Sequence, residues 1–283
     1  MSIGPDYLRR VVYAKYLMAQ AYSLWKRGGD FQLAQAVLLA HDSTEMLMRV
    51  IADYKHTKVG DGFLSFWDEI EKKTHKEPPH KGQMDRFNSV RGAFKHKGIL
   101  PNAADVGDLM PIVRSFCEEI TETYLRVKSG EISLADLILS DKPKQLLKDS
   151  EAAKASGDIS NALTYLGLAY DLLIREAVKK SDIDLLPTHF EFSYFAQQEA
   201  MGARVLKEAE KALSEVGEVV NKLILNIDSA KSRRFTWLTP VRHHMASGDH
   251  RTIWTHDPTQ FGDAEYEFCY EFVLECALKL SAL

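Results

Sequence analysis

The stretch DFQLAQAVLLAHDSTEMLMRVIADY, residues 30–54, decides the fold class of this chain. Its Leu33, Val37, Leu38, Met46, Leu47, Val50 and Ile51 recur at the spacing of one helix face. Gly28-Gly29 stops a preceding helix, and Asp30 can cap this one. Working outward, the same period predicts helices over Tyr7–Lys26, Phe63–Lys73, Asp85–His96 and Asp108–Lys128. Gly98 and Pro101 close the helix over 85–96, and Pro111 is read into the first turn of the next, where proline is tolerated. Farther on, Gly157-Asp158 opens a helix to about Lys180, and residues 199–231 read as one long helix. Glu265–Leu280 reads as the last. RFTWLTPV (234–241) and RTIWTH (251–256) are the strand candidates. The expected fold is all-α, built as two up-down helical-bundle halves. Their boundary is placed in the polar stretch Ser129–Ser156, with its apolar island Leu134 to Leu139, giving domains 1–130 and 131–283.

Composition narrows the function classes. The 283 residues are 45% hydrophobic and 27% charged, as in a globular protein and unlike a disordered chain. A net charge of -4 advertises no overall field for nucleic acid, so such a partner needs a local patch. Three cysteines, Cys117, Cys269 and Cys276, form neither a disulfide framework nor a CxxC metal site. Without an apolar signal core or a run of about 18 apolar residues, a reduced, cytoplasmic protein away from membranes is expected.

Internal similarity adds to this. EMLMRVIADY (45–54) matches DLLIREAVKK (171–180) in chemistry, and the pairing extends back to Ala36-Val37 against Ala162-Leu163. Gly29-Asp30 and Gly157-Asp158 precede the two matched helices. SFCEEI (115–120) and EFCYEF (267–272) then recur in the same order, which points to a duplicated unit.

Between the matched helices of the first half lies FNSVRGAFKHKGILP (87–101), with Arg91 and His96 separated by four residues. Arg251 and His256 repeat that spacing ahead of the last helix. One such pair is unremarkable in a chain with 14 Arg and ten His, but two before matched helices carry more weight. Here the chain resembles the HEPN (higher eukaryotes and prokaryotes nucleotide-binding) family, all-α domains whose ribonuclease members carry an Arg, four to six residues, then His. The resemblance covers the first 130 residues or so, and reaches the second half through the repeat. Gly92 and Thr252 follow the two arginines, where active members commonly carry a polar residue such as Asn.

The resemblance implies metal-independent endoribonuclease activity, with Arg91, His96, Arg251 and His256 as catalytic residues and a setting in toxin or antiviral defence. The 2′-hydroxyl would be the nucleophile, an imidazole would move protons and a guanidinium would hold the phosphorane charge. On a helix, positions five apart sit about 140° from one another. The pair therefore converges only if the helix ends or distorts at Gly92 or Gly98, or if two subunits face each other. The family arrangement places two motifs across a cleft, as a homodimer or as an intramolecular pseudo-dimer of a tandem copy. The expected partners are RNA and a protein such as an antitoxin. The alternative is a non-catalytic HEPN-like module binding nucleotide, RNA or a protein partner.

Local charge agrees with a phosphate ligand. Residues 72–101 hold Lys72, Lys73, Lys76, Lys81, Arg86, Arg91, Lys95 and Lys97 against Glu77 and Asp85. Residues 231–256 hold Lys231, Arg233, Arg234, Arg242 and Arg251 against Asp249. Asn88, Lys95, Lys97, Arg242 and His243 are the expected nucleic-acid contacts, and Phe94, Phe235, Trp237 and Trp254 could stack on bases. Asp42, Glu45 and Arg49 share a helix face, either as an ordinary ion pair or as carboxylates that orient a catalytic Arg or His. His243, His244, His250 and His256 lack metal-site spacing, and GxGxxG, GxxxxGK[ST] and GxSxG are absent, so no metal or cofactor is expected.

Overall fold

A computed structural model of the chain describes residues 3–180, 226–244 and 250–281. The fold is all-α, with one short antiparallel ribbon among the described residues, and it forms two compact units, Met1–Leu137 and Ile138–Leu283. The division falls after Leu137 rather than after residue 130. The island beyond residue 130 joins the first core: Ile132 and Ala135 are buried, and Lys15 donates to the Ser129 and Ile132 carbonyls.

In the first unit, α1 (Pro5–Arg27) and α2 (Asp30–Tyr54) form an antiparallel hairpin. Gly28 and Gly29, both at positive φ, make the turn. Helices α3 (Ser65–Thr74), α4 (Lys81–Lys97) and α5 (Ala103–Ile120) then pack on α2. Helix α2 buries Val37, Ala40, Leu47, Met48, Val50 and Ile51 on faces that meet different neighbours. Trp67 of α3 is fully buried, with its ring stacked on Phe116 of α5 at 5.3 Å.

Helix α5 begins earlier than its periodicity suggests. Asn102 caps it, its side chain accepting from the Ala104 N–H at 2.8 Å. Pro111 therefore lies inside the helix and not in its first turn, and the Gly107 carbonyl lacks its usual helical donor. After Ile120 the backbone widens into one π-helical turn, Thr121–Leu125, and Arg126 at φ 61° ends it short of Lys128.

The second unit holds α6 (Asp141–Ala155), α7 (Ile159–Lys180), α8 (Ser229–Leu238) and α9 (Asp263–Leu280). Strands β1 (Val241–His244) and β2 (His250–Ile253) pair with Val241 opposite Ile253. Helix α6 occupies a stretch read as polar linker, because the positions it buries, Pro143, Leu147 and Ser150, stand at helical spacing but form no apolar stripe. The helix expected over 199–231 lies mostly outside the described residues. Its end is corrected: Asp228 caps α8 by accepting from the Ala230 and Lys231 N–H groups, so a new helix starts there. RFTWL belongs to that helix, and the ribbon begins only at Val241. Tyr170, Phe235 and Phe272 close the core, with ring centroids 4.8–5.5 Å apart. No described helix is long and apolar enough to cross a membrane.

Replacing Trp67 by alanine should remove a filled, stacked site at the centre of the first unit. The expected loss is about 3–5 kcal/mol in urea unfolding; a loss under about 1 kcal/mol would show that α3 is peripheral.

Candidate functional site

Helix α4 carries the candidate site, and its packing follows from its sequence. Met84, Phe87, Asn88 and Arg91 fall at i, i+3, i+4 and i+7, one stripe along the helix. Met84 and Phe87 are fully buried, and Asn88 and Arg91 are half-buried at the edge of the same stripe. His96 lies off it, exposed in the last turn between exposed Lys95 and Lys97. Helix α4 runs unbroken through Gly92 and closes at Gly98, in the left-handed region at φ 68°. The Gly98 N–H donates to Phe94 O at 2.9 Å, and the Ile99 N–H to Ala93 O at 3.2 Å. The expected break between Arg91 and His96 does not occur: an intact helix keeps them about 140° apart.

The imidazole associated with Arg91 is instead His41 of α2, which the motif reading missed. Helix α2 buries three polar side chains, His41, Ser43 and Thr44. Ser43 donates to Ala14 O at 2.7 Å, and Thr44 to Ala40 O at 2.8 Å. His41, 1% exposed, meets Asn88 Oδ1 through Nε2 at 3.0 Å. With a carboxamide oxygen opposite, Nε2 carries the proton and the neutral ring leaves Nδ1 as a bare acceptor. Nδ1 makes no hydrogen bond, and the carboxylate oxygens Asp42 Oδ1 and Glu45 Oε2 stand 4.0 and 3.9 Å from it. Phe63 lies against the ring at 4.4 Å between centroids, and Phe87 is stacked farther off at 6.4 Å. A sequence signal existed, since His41 sits on the stripe Val37, His41, Thr44, Met48, Ile51.

Arg91 is the second unsatisfied group. Its Nε is buried and makes no hydrogen bond. Burial, and then the Arg91 charge, hold His41 below its ordinary value of 6.5, while Asn88, Glu45 and Asp42 pull the other way. Glu45 is shared, its other oxygen standing 3.6 Å from Arg49 Nη2, and the Arg49 guanidinium covers the Phe66 ring at 5.2 Å. Both readings of the Asp42–Glu45–Arg49 face thus have a counterpart, an ion pair and a carboxylate facing a histidine.

The expected basic segment is thinner than its charge count. Lys72 pairs with Glu69 at 2.7 Å, Lys81 with Asp68 at 2.6 Å, and Arg86 with Asp105. Lys73 and Lys76 are exposed, as are Lys95 and Lys97 on the last turn of α4, where positive charge also suits the helix dipole.

The second unit treats its expected residues differently. Arg251 lies in strand β2 and His256 in the loop beyond it, so the shared spacing has no shared geometry. The side chains of Arg251 and His243 lie outside the described residues. The His256 ring rests on Trp237 at 4.8 Å. Phe235 is fully buried and cannot stack on a base, whereas Trp237 is half exposed. Arg242, expected to contact nucleic acid, is committed within the fold. It donates to both Asp171 oxygens at 2.7 and 3.1 Å, to Thr239 Oγ1 at 3.0 Å and to Pro240 O at 2.8 Å. Gly167 makes room, because a Cβ there would come within 2.5 Å of Arg242 Nη1. In the sequence pairing that sets Glu45 against Asp171, Gly167 falls opposite His41.

All three cysteines are buried, which pushes each thiol up to about 12, so none supplies a thiolate nucleophile near neutral pH. Among the described residues no group of three His, Cys, Asp or Glu is placed to hold a metal ion. Comparison with protein-family models, with curated proteins and with solved structures found no match.

Two outcomes follow. A folded-state value depressed below 6.5 means that the unfolded chain takes up a proton at His41 that the folded chain refuses. The resulting stability is present above about pH 6.5 and is lost as pH falls through and below that value. His41→Gln should therefore unfold with a shallower acid dependence than wild type, and parallel curves would refute the assignment. In the second unit, Gly167→Ala should displace the Arg242 guanidinium and cost roughly 1–3 kcal/mol. Combined with Arg242→Ala it should cost little extra, whereas full additivity would show that the two do not interact.

Proposed function

We propose that the first unit is a HEPN-like module that cleaves RNA without a metal ion, using Arg91 of one copy and His96 of a second. The observation that carries this reading is Arg91, held by the α2–α4 contact with a buried Nε that no protein acceptor meets. A guanidinium with unused donors is a ready ligand for phosphate oxygens. His96, exposed beside Lys95 and Lys97, is placed for proton transfer to a strand lying on the surface. Two copies are needed because one unbroken helix keeps the two side chains on different faces. Ile99 and Leu100, 57% and 42% exposed directly after this turn, offer an apolar contact for the second copy.

The chemistry needs no cofactor. The 2′-hydroxyl attacks the adjacent phosphorus, His96 moves protons and Arg91 takes the growing charge on the non-bridging oxygens, leaving a cyclic phosphate and a 5′-hydroxyl. The family setting in toxin or antiviral defence, with an antitoxin-like partner, belongs to the same proposal. The unbroken α4 also favours a second reading, in which a module without cleavage activity binds nucleotide, RNA or a protein through the same surface.

Incubation with mixed RNA in EDTA separates the two. Wild type should cleave, and Arg91→Ala and His96→Ala should each lose about 100-fold or more in rate. Mixing those two inactive variants should restore part of the activity, since one of the two sites in each mixed pair is complete. Leu100→Glu should weaken self-association and cleavage together. RNA binding without cleavage by wild type would establish the second reading.

A further inference from the structure

Two buried nitrogen atoms without hydrogen bonds, His41 Nδ1 and Arg91 Nε, occur in one small cluster of the first unit. The groups around His41 are disposed as a balance. From its own helix, Asp42 and Glu45 place carboxylate oxygens 4.0 and 3.9 Å from Nδ1. From α4, Arg91 opposes a proton there, and neutral Asn88 holds Nε2 in place. Phe63 and Phe87 supply the apolar walls.

In the neutral ring, Nδ1 carries a lone pair, and the carboxylate oxygens of Asp42 and Glu45 stand within 4.0 Å of it. A proton on Nδ1 would turn both approaches into charge-assisted contacts, and the Arg91 charge together with burial is what resists it. An anion seated on Arg91 cancels that resistance. We propose that His41 is a positioning residue that takes up a proton when an oxyanion of the phosphate class binds at Arg91, making this a proton-coupled anion site. This rests on the reading of Arg91 as an oxyanion ligand. His41 is too buried to touch the anion, so its effect passes through the charge of Arg91 and through Asn88. Coupling of this kind is reciprocal: the anion raises the proton affinity of His41, and acidification tightens the anion by the same factor.

Sulfate is the probe of choice, because it keeps its full charge across the range in which imidazole titrates. On the full chain, the His41 ring resonance followed by NMR against pH should titrate at higher pH with saturating sulfate than without it. Sulfate affinity should rise roughly threefold or more between about pH 8 and about pH 6. His41→Gln should still bind sulfate but lose the pH dependence, and Arg91→Gln should lose the binding. A His41 titration unmoved by sulfate overturns the proposal, as does sulfate binding that survives Arg91→Gln. If His41→Gln does not fold, the wild-type titration alone decides. Coupled sulfate binding without RNA cleavage supports this proposal and removes the ribonuclease reading. Cleavage accompanied by uncoupled sulfate binding does the reverse.

Discussion

A helix buried on several faces can carry a polar side chain only where something meets its donors and acceptors. Helix α2 imposes that condition on the whole first unit. Ser43 is satisfied by Ala14 O of α1, and Thr44 by Ala40 O of its own helix. His41 has no such outlet, so α4 must approach with a polar residue at one particular turn, and Asn88 is that residue. Arg91 follows one helical turn later and is half-buried. The imidazole–carboxamide contact joins α2 to α4 beside the buried, apolar Met84 and Phe87.

The two units show what happens to an arginine directed at the matched helix under different neighbours. In the second unit a carboxylate, Asp171, meets Arg242 face-on, and a threonine and a carbonyl take two further donors. The guanidinium is closed, and the glycine at position 167 is the space it occupies. In the sequence pairing, the residue of the first unit opposite Gly167 is His41. Its Glu45 is divided between Arg49 and His41, and Arg91 keeps a buried Nε without a hydrogen bond. One guanidinium is closed by its acceptors, and the other keeps a buried Nε that makes no hydrogen bond.

The helical nature of the chain was legible because apolar period and breaker residues agree. The α1–α2 hairpin was read from Leu33, Val37 and Ile51 together with Gly28-Gly29, and α7 was read from Gly157-Asp158. Helix α6 was not legible, since its buried positions Pro143, Leu147 and Ser150 stand at helical spacing but include a proline and a serine, so no apolar stripe marks them. The start of α5 was misplaced because Pro111 looks like a first-turn proline until Asn102 is seen capping the helix.

The candidate site was legible only in part. Arg91 was found from its spacing to His96, but that spacing says nothing about faces, and the intact helix separates the two residues. His41 was overlooked because it lies 47 positions from its partner Asn88. The sequence by itself determined an all-α chain and its principal helices. Those features depend on near-neighbour spacing, which the order of residues contains. The pairing of His41 with Asn88, the closure of Arg242 by Asp171 and the separation of His96 from Arg91 were decided only in the tertiary structure. Each depends on how helices dock or whether one continues unbroken, and docking is set by side-chain shape and burial between segments far apart in the chain.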